Sequence, residues 1–237
     1  MGIGHRQVSV LTAALAACAI AAAAEDLTIV SKTRFGEKQG TQTVFLTPTR
    51  MKTAGGGNDS LVDFQTRTMA FLDEEKKTWF VTSVDEMTAY ARRREEQART
   101  SGFVPQTFGV LGEVAARRTG RTRRIAGYAC DEWVFTMSEA LVFEVCAARG
   151  LAVPPSYFDA RGAAYGGMGP MGRHFEKMFE AMKKARGYPL SFAMHVKMEG
   201  MKQDTLTEAT RVRKGGIPAA TFEVPAAFTK KTSPFAP

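Results

Sequence analysis

The sequence is poor in the side chains on which most enzyme chemistry depends. Of 237 residues, three are cysteine and three are histidine. Cys18 and His5 fall near the N-terminus, which leaves Cys130, Cys146, His174 and His195 for the rest of the chain. It has no Gly-x-Ser-x-Gly elbow, no Walker loop and no dinucleotide fingerprint. The glycines at 55–57 open no helical pattern, and Gly166-Gly167 is not followed by the Lys-Ser/Thr pair of a phosphate loop. The usual means of acyl transfer and nucleotide chemistry are therefore missing. The carboxylates of Asp73-Glu74-Glu75 sit in a predicted turn and read as a solvated charge run. A non-catalytic role without a cofactor is expected.

A second absence concerns long apolar runs, since nothing after residue 24 is long and apolar enough to cross a bilayer. The N-terminus itself is different. Met1–Arg6 carries one fixed positive charge, Val8–Ala24 is almost wholly Ala, Leu, Val and Ile, and Ala22-Ala23-Ala24 precedes Glu25-Asp26. This is the pattern of a signal peptide cut after Ala24. A second reading takes Leu15-Ala16-Ala17-Cys18 as a lipobox, with Cys18 acylated. Either way the protein is exported, with the periplasm as its expected compartment and residues 25–237 as one domain. Loss of Arg6 leaves 31 basic against 24 acidic residues, a net charge of about +7. That sign favours anionic partners such as an envelope membrane surface; nucleic acid is rarely met outside the cell.

In an oxidising compartment Cys130 and Cys146 are expected to pair. A hairpin reversing around Ser138 places Trp133 opposite Phe143, Phe135 opposite Leu141, and Cys130 opposite Cys146. The same register sets Glu132 against Glu144, which is unfavourable unless that face is wet.

From Leu27 to Val81 short β-favouring runs alternate with turn clusters at 36–40, 55–59 and 73–77, as in an antiparallel meander. Ser83 with Glu86 forms a capping box and starts a helix to about Arg99. Strands resume at 108–114, 123–128, 131–137 and 140–147. Pro154-Pro155 closes that meander, and the Gly-rich stretch 160–172 reads as an exposed loop. Met171, Phe175, Met178, Phe179 and Met182 then recur at helical spacing opposite Arg173, Glu176, Lys177, Glu180, Lys183 and Lys184, which predicts an amphipathic helix over 171–186. Next, Phe192, Met194, Val196 and Met198 alternate with Ala193, His195, Lys197 and Glu199, as a half-buried strand requires. A strand over 205–212 and a short one over 221–224 complete the chain. The architecture expected is mainly β, of α+β type: one strongly curved antiparallel sheet covered by two helices.

Two ligand chemistries suit these residues. Met168, Met171, His174, Met178 and Met182 are soft donors of the kind that hold Cu(I), although methionines at helical spacing also serve as core, and no metal site is assigned on them. An apolar or amphiphilic ligand suits the other reading, with Met171, Phe175, Met178, Phe179 and Met182 facing Trp133, Phe192 and Met194 across a concave sheet. Pattern alone leaves open whether that space is a cavity or a packed core. A third possibility is a structural module whose basic face, Arg117, Arg118, Arg121, Arg123 and Arg124, docks an anionic envelope surface.

Several stretches, in order along the chain, resemble a family of exported bacterial domains related to the LolA/LolB lipoprotein carriers and receptors. They are Asp26–Lys32, Leu61-Val62-Asp63, Lys76–Trp79 running into Thr82–Met87, Thr119-Gly120, Ile125–Cys130 with its Gly-Tyr-x-Cys, Gly187–Leu190, and Ile217-Pro218 with Phe222–Pro225. The resemblance implies a LolA/LolB-like half-barrel whose mouth is covered by helices, as in carriers that hold acyl chains in an apolar cavity; it does not imply the same cargo, and it brings no catalytic residues to carry over. The Gly/Met-rich insertion before the 171–186 helix marks the lid as a point of departure.

Overall fold

The computed structural model describes residues 25–55, 58–101, 113–137, 141–166, 172–198 and 201–236. The expected leader with Cys18, residues 108–112 of the strand expected over 108–114, and Met168 and Met171 lie outside the described residues, while Glu113 and Val114 are described and belong to no strand.

Among the described residues, twelve strands form one sheet in the order β12-β6-β5-β4-β3-β2-β1-β11-β10-β9-β8-β7. The first six are β1 (Leu27–Phe35), β2 (Lys38–Leu46), β3 (Arg50–Ala54), β4 (Asn58–Asp63), β5 (Thr68–Asp73) and β6 (Thr78–Ser83). They are followed by β7 (Ala115–Ile125), β8 (Tyr128–Met137), β9 (Leu141–Ala148), β10 (Tyr188–Met198), β11 (Met201–Lys214) and β12 (Thr229–Lys230). All neighbours pair antiparallel except β12 with β6. The period of two decides what each strand buries: on β1, Leu27 and Ile29 are fully enclosed while Thr28 and Val30 are partly open.

Three helices among the described residues, one more than the sequence predicts, lie on one face: α1 (Val84–Thr100), α2 (Pro155–Gly166) and α3 (Gly172–Met182), the last continued by a 3₁₀ turn over Lys183–Ala185. The capping box at α1 is reciprocal. The Glu86 N–H donates to Ser83 Oγ at 3.0 Å, and the Ser83 N–H donates to Glu86 Oε2 at 2.8 Å.

Helix α2 overturns the expected exposed loop over its span. Its small residues are what the fold needs there, because α2 and α3 cross so closely that a Cβ on Gly162 would come within 3.2 Å of the Glu176 backbone. A Cβ on Gly172 would meet the Gly166 carbonyl oxygen at 2.0 Å. Glycine composition that reads as a flexible segment is here a packing surface.

The hairpin β8–β9 corrects the expected register by two residues. Trp133 faces Val145, Phe135 faces Phe143 and Met137 faces Leu141. Parity, and so the choice of buried face, is as expected. The pairing is centred one residue later along the chain, which moves Glu132 opposite Cys146 and Glu144 opposite Val134, and the Glu132–Glu144 clash is avoided. Cys130 and Cys146 are disulfide-bonded, diagonally across the two strands instead of directly. The short strand expected at 221–224 is also corrected: Ala219–Phe222 forms a 3₁₀ turn, and the chain rejoins the sheet at β12.

At its β7 end the sheet curls toward the face away from the helices. Arg123 on β7 reaches Glu208 on β11 at 2.9 Å although three strands stand between them. In a flat sheet that span would be about 19 Å, beyond the reach of two side chains.

Candidate functional site

The site builds from three cross-strand rows on the helix-facing side of β8, β9 and β10. Trp133, Val145 and Phe192 form one row; Phe135, Phe143 and Met194 the next; Met137, Leu141 and Val196 the third. Register alone makes these nine side chains neighbours. Helix α3 lies over them. Phe175, Met178, Phe179 and Met182 occupy positions i, i+3, i+4 and i+7 and are all buried, while Arg173, Lys177 and Glu180 face water.

The rings interlock. Phe143 stands 6.1 Å from Phe175, 6.0 Å from Phe179 and 5.0 Å from Phe192, centroid to centroid. Phe179 stacks on Phe192 at 5.9 Å. Tyr165 of α2 closes the group from above, 5.4 Å from Phe175 and 5.3 Å from Phe179. Of the expected ligand-contacting set, Phe175, Phe179 and Phe192 thus meet around Phe143, and Met178, Met182 and Met194 are buried in the same core. These side chains fill the space between α3 and the sheet. Trp133 lies at the margin, half-buried, stacked on Phe135 at 6.0 Å, with its indole N–H enclosed and without a hydrogen-bond partner.

Open space lies elsewhere. A cleft of about 860 Å³ runs between the helices, lined among others by Arg67, Thr88, Asp159, Glu176 and Lys183. Within it Thr88 donates to Glu176 at 2.9 Å and Lys183 pairs with Asp159 at 2.7 Å. A smaller cleft of about 230 Å³ lies on the opposite side of the sheet, inside the curl at β7. Of the predicted basic face, Arg121 and Arg123 line it, and three of the five arginines are paired with carboxylates. Arg118 pairs with Asp131 at 2.9 Å, Arg121 with Glu132 at 2.6 Å, and Arg123 with Glu208. Arg124 donates to the Gly127 carbonyl.

Sequence reasoning missed one polar group altogether. Arg161 of α2 sits among Tyr157, Tyr165 and Tyr188, with its Nε fully enclosed and unpartnered. Burial pushes the hydroxyls of Tyr157 and Tyr188 above the usual phenol range. The helical spacing of 157, 161 and 165 was the available signal, hidden by reading 160–172 as loop. As for metal, the described residues contain no group of three or more His, Cys, Asp or Glu side chains placed to hold an ion. Met178 and Met182 of the copper reading are enclosed in the core.

Residues 32–228 match the family model described as a domain of unknown function, DUF4412. No curated protein matches the sequence. Among solved structures, an uncharacterised conserved protein from Thermus thermophilus superposes with a TM-score of 0.50 at 8% identity, covering 89% of this chain and 91% of that one. The Pseudomonas aeruginosa MucA/MucB complex matches with a TM-score of 0.42 at 10% identity, over 86% of this chain and 56% of that one. The chain thus spans about half the length of that relative. A putative outer membrane lipoprotein-sorting protein domain from Vibrio parahaemolyticus matches with a TM-score of 0.32 at 6% identity, over 84% and 89%.

Proposed function

Because the chain belongs to the DUF4412 family, a domain of unknown function, we propose its role from its own residues: a non-catalytic binding protein of the cell envelope. Its cargo in this reading is a lipid, a lipoprotein acyl chain or another amphiphile. The ligand enters beneath α3, between Phe175, Met178, Phe179 and Met182 on the helix and Phe192, Met194 and Trp133 on the sheet. Residues 1–24 act as the export signal and residues 25–237 as one domain.

The observation that carries the reading is the chemistry of the contact between α3 and the sheet. It consists of aromatic rings and flexible thioethers with no ion pair or hydrogen bond crossing it at these residues. Such a contact is non-directional, so acyl chain can replace ring against ring at little loss. The disulfide supports an oxidising compartment. The rival role, docking of an anionic surface through the basic face, is weakened by the pairing of Arg118, Arg121 and Arg123 with carboxylates.

Native mass spectrometry of the protein purified from the periplasm tests the reading. Adducts with lipid masses, lost on delipidation and regained on adding lipid, are expected. A lipid-free protein that instead associates with membranes in a salt-sensitive way would favour surface docking.

A further inference from the structure

Arg161 stands out because no described residue around it balances its charge. It lies on the face of α2 that carries Tyr157 and Tyr165 four residues to either side, and Tyr188 opens β10 beside them. Tyr157 and Tyr188 are buried, their rings 5.7 Å apart. The guanidinium carbon lies 5.8 Å from the centroid of Tyr165. Among the described residues no carboxylate pairs with Arg161, and its Nε is enclosed without an acceptor. The nearby acid on the same helix, Asp159, is taken by Lys183. A guanidinium does not shed its proton at any ordinary pH, and a phenol is neutral at pH 7, so the group is a cation without a counter-charge. Arg161 as a whole is half-buried; leaving its enclosed Nε unpaired is costly, and replacement by an apolar side chain of similar volume is then stabilising.

The position of this cation relative to the rings gives it meaning. Tyr165, which the guanidinium overlies, is itself in contact with Phe175 and Phe179. A polar, electropositive end therefore adjoins an apolar interior, the layout that an amphiphile with an acidic head matches. We propose that Arg161, with the hydroxyls of Tyr157, Tyr165 and Tyr188, binds the anionic head group, carboxylate or phosphate, of an amphiphile whose chain lies against Phe175 and Phe179. This rests on the reading that α3 covers an amphiphile site, and it narrows the cargo to acidic amphiphiles. Arg161 suits either oxyanion because its planar fork donates two parallel N–H bonds.

The test compares three twelve-carbon probes, dodecanoate, dodecyl phosphate and uncharged dodecanol, by their displacement of the neutral fluorophore N-phenyl-1-naphthylamine from the delipidated protein. At least one anion is expected to bind ten-fold or more tighter than dodecanol, and the better anion identifies the head group. Arg161→Gln is expected to remove that preference while leaving dodecanol affinity within about two-fold. Dodecanol binding as tightly as both anions, or a preference that survives Arg161→Gln, overturns the proposal and leaves the amphiphile reading standing. Failure of all three probes to bind overturns both. Thermal melting supplies an independent readout: Arg161→Met is expected to raise the melting temperature of the ligand-free protein, whereas a lowered one would show Arg161 to be a structural residue and sink the assignment.

Discussion

Phe143 on β9 and Phe179 on α3 meet edge to face with their ring centroids 6.0 Å apart. Phe192 on β10 touches both rings. The three side chains come from three elements, and their contact helps to hold α3 against the sheet.

Truncating that contact tests its energetic weight. Phe179→Ala is expected to cost about 3–5 kcal/mol, the lost transfer energy plus the cavity left behind. Phe35→Ala, at a position 52% exposed, is expected to stay within about 0.5 kcal/mol. Urea denaturation of the two variants beside wild type measures both; equal effects would show that the α3 contact is not core.

The Cys130–Cys146 bond closes a loop with a sequence separation of 16. The chain-entropy model gives a contribution of about 3 kcal/mol for a loop of this size. Denaturation with and without reductant, or of the Cys130→Ser/Cys146→Ser variant, is expected to show a loss of that order. An unchanged midpoint would mean the bond restrains nothing in the unfolded chain.

Asp131 joins the curl of β7 to β8. The Arg118 guanidinium holds its carboxyl below the usual range against the opposing effect of burial, with Arg149 and the Thr122 hydroxyl adding to the depression. A carboxylate whose folded pKa lies below its unfolded one stabilises the fold above the unfolded pKa, and that contribution is lost as pH falls through the folded value. Asp131→Asn is therefore expected to be less stable than wild type near neutral pH, with the difference shrinking as pH is lowered through the carboxylate range. Chemical denaturation across pH measures this, and a gap that does not narrow in acid would contradict it.

Ser83→Ala removes the Oγ that accepts the Glu86 N–H. A loss of about 1 kcal/mol is expected, and Ser83→Asp, which keeps an acceptor, is expected to recover most of it. Thermal or urea melts of the two variants decide the matter.

Much of this was legible in the residues. The alternation of Phe192, Met194 and Val196 with Ala193, His195 and Lys197 is a tertiary fact written locally, because a strand with one wet face has no other arrangement. The same holds for the stripe on α3 and for the cap at Ser83. Parity also assigned the correct face to Trp133 and Phe135. It did not assign the register, since every even shift preserves parity and only the point at which the chain reverses chooses among them. Helix α2 was illegible for a different reason. Gly162 and Gly166 weaken an isolated helix, yet they permit the close approach to α3 that stabilises it in context. With α2 read as loop, Arg161 and its tyrosines did not share a face, and the polar end of the site went unseen. The inter-helix cleft was hidden likewise, being assembled from three helices of which one was unrecognised.

The proposed function turns on whether α3 can leave the sheet without unfolding the rest. Hydrogen exchange of the ligand-free protein, with amides resolved along α3 and along β8–β10, measures this most directly. A movable cover predicts that α3 exchanges through an opening of lower free energy than the strands beneath it, and that a bound amphiphile slows this exchange. Exchange of α3 only in the global unfolding that also releases β9 would contradict it, and the interior would then be a permanent core.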